Sequence, residues 1–387
     1  MKTLKLAFIF SVIFLTGVSC ETKNVQPEAL PQQDSTEFTK ASVARMISSL
    51  PLRKEHLEEV YQAVSSSTWN GYDEEYTMND LICSPGCGVG QTKASKAIET
   101  PLRDLITSYL IKQYGTKAGS SSVERYLDKL RNSDFQIYWP YCDDWDGESY
   151  PIITFDPGYG AETNYGYEIE QTDQGIRVVD SVLVDEEVAR THPVWVINSN
   201  DDSFFTPLEM LVREDKEDFS PVQELPAEST GSKNLLIKNL TMLRNYDSWF
   251  AGASEFFIKC GYLKGKSSYT ETELKDFYPS VTDMMISVKR RDVGKTLPLD
   301  AILIPGMDDQ LENMAFLITE DDGGPKTSWK CSASVKIKSK TYGFDLQIPY
   351  NNNDDIVWRG TIASSYFKDK STVQGRFGDV KITFALK

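Results

Sequence analysis

The sequence predicts a multidomain α+β protein, with a helical N-terminal unit, a small antiparallel β unit in the middle and an antiparallel β-sandwich at the C-terminal end. Apolar residues recur at helical spacing in the first third of the chain, and short runs of β-forming residues follow from residue 135 onward. The chain has 387 residues, of which 40% are hydrophobic and 25% charged, a composition that can fill several packed cores.

Shifts in composition divide the chain into six segments. We predict a signal peptide over residues 1–19, a flexible tether over 20–40, a mainly helical unit over 41–134, a small β unit over 135–213, a linker over 214–233 and the β-sandwich over 234–387. The tether is polar and contains two prolines, and the linker is acidic and rich in Pro, Ser and Gly. Such compositions are typical of flexible connections.

The beginning of the chain carries the features of an export signal. Lys2 and Lys5 precede an apolar run over residues 6–15, which is too short to span a bilayer but typical of a signal-peptide core. Small residues then lead to Cys20. This pattern resembles the lipobox of bacterial lipoproteins, and the resemblance implies that the Cys20 thiol carries the lipid that anchors the protein to a membrane. Ordinary signal cleavage, with Cys20 unmodified, is the alternative.

Helical periodicity predicts the elements of the N-terminal unit. Apolar residues at helical spacing run from residue 41 to 65, and Pro51 interrupts them, which predicts two short helices. Two further helices are predicted over residues 101–113 and 123–130. The second of these follows a run of serines suited to capping a helix.

Clusters of β-forming residues predict the strands of the next two units. In the middle unit we predict strands over 135–140, 150–157, 165–170, 175–184 and 194–198. In the C-terminal unit we predict nine strands, over 234–243, 255–260, 284–289, 301–304, 315–319, 332–338, 343–348, 356–362 and 380–386. Short strands at regular spacing without intervening helices are typical of a β-sandwich.

Charge and motif content argue against several classes of function. The formal net charge is −16 and no cluster of Lys and Arg offsets it, so nucleic acid is not an expected partner, whereas divalent cations suit such a chain. Two histidines are present, and we find no zinc-protease, P-loop, dinucleotide-binding or nucleophile-elbow motif. We therefore predict no catalytic residues.

Cys83 and Cys87 flank a Ser-Pro-Gly turn. Such a turn can bring two thiols within bonding distance, so one interpretation is a small disulfide loop between Cys83 and Cys87. The other interpretation is a pair of buried thiols. A zinc site would need further thiols or imidazoles nearby in the sequence, and none occurs there.

Four acids lie at the ends of predicted strands in the C-terminal unit. Asp247 follows the first strand, Glu255 begins the second, and Glu320 and Asp322 follow a later one. This layout resembles C2 domains, in which carboxylates of several loops meet around calcium. The resemblance implies a C2-like sandwich with Asp247, Glu255, Glu320 and Asp322 as calcium ligands. The alternative is that these acids only solvate turns at the end of the sandwich.

A second candidate site is the segment Asp144-Trp145-Asp146 in the middle unit. An aromatic ring beside carboxylates suits the recognition of a glycan, and Trp249 beside Asp247 is the next candidate of this kind. The alternative is that Asp144 and Asp146 hydrogen-bond their own backbone in Asx turns.

The chain as a whole resembles multidomain surface lipoproteins of Bacteroidota-type bacteria, on the basis of the signal that ends in Cys20, the polar tether, and the phrases at residues 137–140 and 193–198. The resemblance implies a lipid-anchored protein of the bacterial cell envelope, at the outer membrane. We predict a non-catalytic binding or envelope-structural role that involves calcium, a glycan or an envelope protein. The alternative is a carboxylate-dependent hydrolase of the glycoside hydrolase type, with Asp144, Asp146, Asp201 and Asp202 as its acids.

Overall fold

The structure, a computed structural model, combines a mixed helix and sheet unit with a second unit built of strands. It describes residues 38–69, 72–83, 101–114, 119–172, 175–200, 233–265, 270–367 and 370–387. Cys20, Cys87, Asp201 and Asp202 lie outside these residues, so the predictions made on them stay predictions. No helix in the described ranges is long and apolar enough to span a bilayer.

The N-terminal unit packs helices against a six-stranded sheet. Its helices are α1 (Lys40–Ser48), α2 (Lys54–Trp69), α3 (Met78–Ile82), α4 (Pro101–Tyr114), α5 (Gly119–Arg131) and α6 (Glu186–Thr191). Its strands are β1 (Glu75–Thr77), β2 (Phe135–Tyr138), β3 (Ile152–Phe155), β4 (Asn164–Thr172), β5 (Gly175–Val184) and β6 (Val194–Ser199). The four helices and five strands predicted for this part of the chain are confirmed; α3, β1 and α6 are additional.

Side chains that cap the backbone determine where two of these helices begin. Thr39 and Ser42 form a capping box at the start of α1, in which the hydroxyl of each accepts the N–H of the other. Asp185 accepts the N–H of Val188 at 2.9 Å and caps α6.

The sheet of the N-terminal unit has the strand order β1-β2-β6-β3-β4-β5. The prediction of a purely antiparallel unit is wrong for one pair, because β3 and β6 run parallel, with Ile153 opposite Trp195. A parallel pair needs a crossover connection, and the segment that contains β4, β5 and α6 provides it. The crossover ends at α6, and Glu186 of this helix contacts Arg290 of the C-terminal unit.

The helical segment and the β segment that follows it share one hydrophobic core. Ile47 of α1 and Val60 of α2 pack in the same cluster as Ile137 of β2 and Trp195 of β6, and all four are fully buried. Residue 135 therefore marks a change in secondary structure, while the core continues across it. Neither the helices nor the sheet could bury its apolar face alone.

The C-terminal unit consists of antiparallel strands. They are β7 (Lys233–Met242), β8 (Ser254–Lys264), β9 (Tyr278–Val288), β10 (Leu297–Met307), β11 (Leu311–Glu320), β12 (Lys326–Ile337), β13 (Lys340–Asn351), β14 (Asp355–Ala363), β15 (Thr372–Phe377) and β16 (Val380–Leu386). One sheet has the order β10-β7-β16-β15, and the other has the order β13-β12-β11-β8-β9, with β14 also paired to β11.

The two sheets of the C-terminal unit enclose one core, which is compatible with the predicted β-sandwich. All nine strands predicted for this unit coincide with observed strands, and β15 is additional. Gly375 in the middle of β15 weakens its strand pattern, since glycine has a low preference for strands. The structure explains this glycine, because a Cβ atom there would lie 2.6 Å from the ring of Phe377.

One loop of the C-terminal unit packs against the N-terminal unit. We call it the docking loop; it comprises residues 247–253, between β7 and β8. Trp249 and Phe250 of this loop are fully buried, and they pack with Tyr138, Val194 and other apolar residues of the N-terminal sheet. The indole Nε1–H of Trp249 donates to the carbonyl of Glu162 at 2.9 Å. The loop therefore inserts an aromatic pair from one unit into the other.

Polar contacts surround this aromatic pair. Asn198 at the end of β6 donates its side-chain amide to the carbonyls of Phe250 and Ala251, at 3.1 and 2.6 Å. The guanidinium of Arg290, between β9 and β10, lies 3.1 Å from the Glu186 carboxylate of α6. Arg290 is 7% exposed, so this ion pair is part of a buried interface.

Candidate metal centre

Three of the carboxylates predicted as calcium ligands converge at one end of the C-terminal unit. Asp247 lies in the docking loop, Glu255 at the start of β8 and Glu320 at the end of β11. One oxygen from each of them lies within 4.8 Å of the other two. Glu255 is 7% exposed and Glu320 only 1%, so these are not ordinary surface charges. We call these three residues the acidic triad.

Hydrogen bonds at the strand ends hold the acidic triad in place. The N–H of Asp321 donates to the carbonyl of Glu255 at 2.9 Å, which joins the end of β11 to the start of β8. The N–H of Tyr246 donates to the hydroxyl of Ser254 at 3.2 Å and closes the docking loop. The three carboxylates are therefore supported by backbone that is already ordered.

The electrostatics of the triad favour a positive ion. Burial raises the pKa of Asp247 above its ordinary value, and the charges of Asp355 and Asp321 raise it further. A hydrogen bond with Glu320 and the charge of Arg290 act in the opposite direction. Because burial and like charges both disfavour ionised carboxylates, a bound cation would offset a cost that the protein otherwise carries.

The fourth predicted ligand, Asp322, lies at the rim of this site and not within the triad. Its side chain is exposed, yet limited solvation and repulsion from Asp247 and Asp355 raise its pKa to about 6. Its charge therefore interacts with Asp247 of the triad. The structure thus brings together three of the four residues that the sequence suggested and leaves the fourth beside them.

Two further acids of this region, Asp354 and Asp355, were missed from the sequence. Asp355 begins β14 and lies opposite Glu320 in the ladder between β14 and β11. The run of Asn and Asp at residues 351–355 was a signal, but only the pairing of β14 with β11 brings it to the triad. Asp321 supports the turn, since its Oδ1 atom accepts from the Gly323 N–H and the Asn351 amide.

The geometry of the triad suits a hard divalent cation. Calcium takes about six to eight oxygen ligands and tolerates irregular geometry. Three carboxylates offer up to two oxygens each, and Asp322 with water can complete the shell. The described hydrogen bonds of the Arg290 guanidinium go to the Glu186 carboxylate and the Asp247 carbonyl, and not to the carboxylates of the triad.

The second predicted site, Asp144-Trp145-Asp146, lines a cleft of about 210 Å³ between residues 139–149 and residues 189–193. Trp145 is half-buried, and its ring lies 5.3 Å from that of Trp139. Asp144 and Asp146 are exposed. The structure therefore brings all three residues to one concavity in the N-terminal unit.

The polar groups of this cleft already have partners within the protein. Asp144 lies 2.7 Å from the guanidinium of Arg291. Asp146 accepts from the hydroxyl and the N–H of Ser149 and from the N–H of Glu148, and these bonds lower its pKa to about 2. The bonds of Asp146 are the Asx-turn arrangement of the alternative interpretation, whereas Asp144 pairs with Arg291 instead of its own backbone. A role of the cleft in glycan binding stays a prediction.

Two further predictions concern Trp249 and Cys83. The suggestion that Trp249 forms a platform for a glycan is wrong, because this side chain is fully buried between the two units. Cys83 is half-buried and its thiol lies 3.8 Å from the Asn79 side-chain oxygen. Its predicted disulfide partner lies outside the described residues.

Comparison with known proteins does not assign this chain to a protein family. No protein-family model matches it, and no curated protein is similar to it. The assignment of function therefore depends on the acidic triad and its surroundings.

Proposed function

We propose that this chain is an exported, lipid-anchored protein of the bacterial cell envelope, with a non-catalytic binding role in which its C-terminal unit binds calcium at the acidic triad. The observation that carries the calcium proposal is the convergence of Asp247, Glu255 and Glu320 within 4.8 Å. Acids that only solvate turns would lie apart and exposed. Two of these three acids, Glu255 and Glu320, are instead almost fully buried.

The arrangement of the ligands also supports a C2-like identity for the C-terminal unit. The three acids come from the loop after the first strand, the start of the second strand and the end of a later one, so separate chain segments meet at one end of the C-terminal unit. A site assembled in this way depends on the fold, because no single segment supplies enough oxygens. Calcium would therefore stabilise the folded C-terminal unit by mass action.

The first test is calorimetric titration of the wild-type protein with calcium and with magnesium. We expect calcium to bind with a dissociation constant of about 10⁻⁵ to 10⁻³ M, and magnesium more weakly, because magnesium demands near-octahedral geometry. Glu320→Gln should weaken calcium binding at least about tenfold, since it removes one negative charge from a buried ligand.

Asp345→Asn is the matched control for Glu320→Gln. Asp345 is an exposed acid on β13 of the same unit, so this change removes an equal charge from the surface. The control should bind calcium as the wild type does. Absence of calcium binding by the wild type, or equal weakening in both variants, would overturn the calcium proposal.

The anchoring part of the proposal rests on the export signal and Cys20. Bacteria that express the chain with a palmitate analogue should incorporate the label into the protein, and Cys20→Ala should abolish incorporation. Substitution of Cys83 by Ala provides a thiol control that should leave labelling unchanged. Recovery of unlabelled protein from the cytosol with its first methionine in place would contradict both export and anchoring.

A further inference from the structure

An acidic pair lies buried where the two units meet. Asp73 and Glu74, just before β1, are 6% and 2% exposed. Asp73 Oδ2 accepts the N–H of Ala253, in the docking loop, at 2.9 Å. Glu74 accepts from the thiol of Cys142, with Sγ and Oε1 3.9 Å apart. One of the two carboxylates therefore holds the docking loop directly, and the other is enclosed beside it.

The ionisable groups that face this pair come from both units. From the N-terminal unit they are Glu75, Tyr138, Cys142 and Asp143, and from the C-terminal unit they are Lys289 and Arg291. These cations are engaged by other carboxylates, since Lys289 lies 3.7 Å and Arg291 2.6 Å from Asp143. The pair is thus enclosed without a cation of its own among the described ion pairs.

We propose that Asp73 and Glu74 form a proton-controlled latch, which holds the docking loop against the N-terminal unit while the pair is protonated and weakens this docking when the protons are lost.

The direction of the effect follows from burial. Burial raises the pKa of both carboxyl groups, and the charge of Asp73 raises that of Glu74 further. The Ala253 N–H lowers the pKa of Asp73 and the charge of Lys289 lowers that of both groups, but the net shift is upward. Separation of the units would return both groups to water, where a carboxyl pKa is about 4. The docked state therefore binds protons more tightly than the separated state. The contribution of the acidic pair to docking is therefore fully present below about pH 4 and is lost as the pH rises through the raised pKa values.

Glu59 provides a comparison that separates docking from general stability. It is 3% exposed, and burial raises its pKa to about 7. Its carboxylate accepts from the hydroxyl of Tyr76 and the N–H of Leu102, which both belong to the N-terminal unit. Ionisation of Glu59 should destabilise that unit, but Glu59 makes no described contact with the docking loop.

Hydrogen exchange of the docking loop tests the latch. The full chain is compared at about pH 5 and about pH 9 in the presence of a chelator, with rates corrected for the intrinsic effect of pH, so the result does not depend on the calcium proposal. We expect the protection of residues 247–253 in the wild type to fall at least about tenfold at the higher pH, which corresponds to one unit of pKa difference.

Amide variants determine whether the pair is responsible. Asp73→Asn with Glu74→Gln keeps the shape of both side chains without a titratable proton, and it should keep the loop protected at both values of pH. Glu74→Gln alone leaves the Asp73–Ala253 contact intact and should reduce the pH effect, which provides a test if the double variant does not fold. Glu59→Gln should lose protection as the wild type does. Equal protection of the wild type at both pH values, or an undiminished loss in the amide variants, would overturn the latch.

Discussion

Trp249→Ala is expected to weaken the docking of the two units by about 3–5 kcal/mol. Removal of a fully buried indole loses the free energy of transferring its apolar atoms out of water, and it also leaves a cavity. The change also removes the hydrogen bond to the carbonyl of Glu162. Small-angle scattering should show a larger radius of gyration for the variant, while circular dichroism should show unchanged secondary structure. Denaturant unfolding should then occur in separate steps for the two units.

Trp329→Ala is the control for this variant. Trp329 is a half-buried side chain on β12 that packs against the core of the C-terminal unit. Its removal should lower the stability of that unit without an increase in radius. If Trp249→Ala kept the compact radius and a single unfolding step, the docking loop would not be what joins the units.

The agreement between sequence and structure is best where one local pattern decides the outcome. The interruption at Pro51 separates α1 from α2 as expected, and the nine runs of β-forming residues became strands. The acidic triad was also predicted in part, through the resemblance of the C-terminal unit to C2 domains, and three of the four suggested acids converge. Glu320 and Asp322 nevertheless differ in burial, which depends on the turn after β11 and could not be inferred from spacing.

Long-range pairing accounts for most of what the sequence did not reveal. Trp249 and Phe250 form an apolar pair in a loop, and nothing local shows that the partner surface lies on β2 and β6 of another unit. Asp73 and Glu74 belong to a polar run at residues 72–76 that looks like a solvated turn. Asp73 contacts the docking loop through the Ala253 N–H, whereas Glu74 packs beside Cys142 of its own unit, and neither contact is visible from the local sequence. The parallel pairing of β3 and β6 likewise depends on a crossover that short strand patterns do not indicate.

Gly252→Ala is expected to disrupt the same interface by a different route. Gly252 has a φ of +141°, a backbone conformation that L residues rarely adopt, and a Cβ atom there would lie 2.7 Å from Asp73 Oδ2. The backbone strain alone should cost about 1–3 kcal/mol. Displacement of the Asp73 carboxylate should add to this cost, because the Ala253 N–H would lose its acceptor in a buried interface.

Gly294→Ala separates these two contributions. Gly294 also has a positive φ, of +80°, but a Cβ atom there would meet nothing within 4 Å. This control should therefore show backbone strain of about 1–2 kcal/mol and keep the loop protected from hydrogen exchange. Gly252→Ala should instead expose the loop at every pH.

A double-mutant cycle between Gly252→Ala and Asp73→Ala measures the contact itself. Asp73→Ala removes the carboxylate that the new Cβ atom would strike, so Gly252→Ala should cost less in that background than in the wild type. We expect a coupling of about 0.5–3 kcal/mol in the free energy of docking, since groups in direct contact are not additive. If the effects of the two substitutions on the free energy of docking were strictly additive, the Cβ atom at position 252 would not be in contact with the Asp73 side chain.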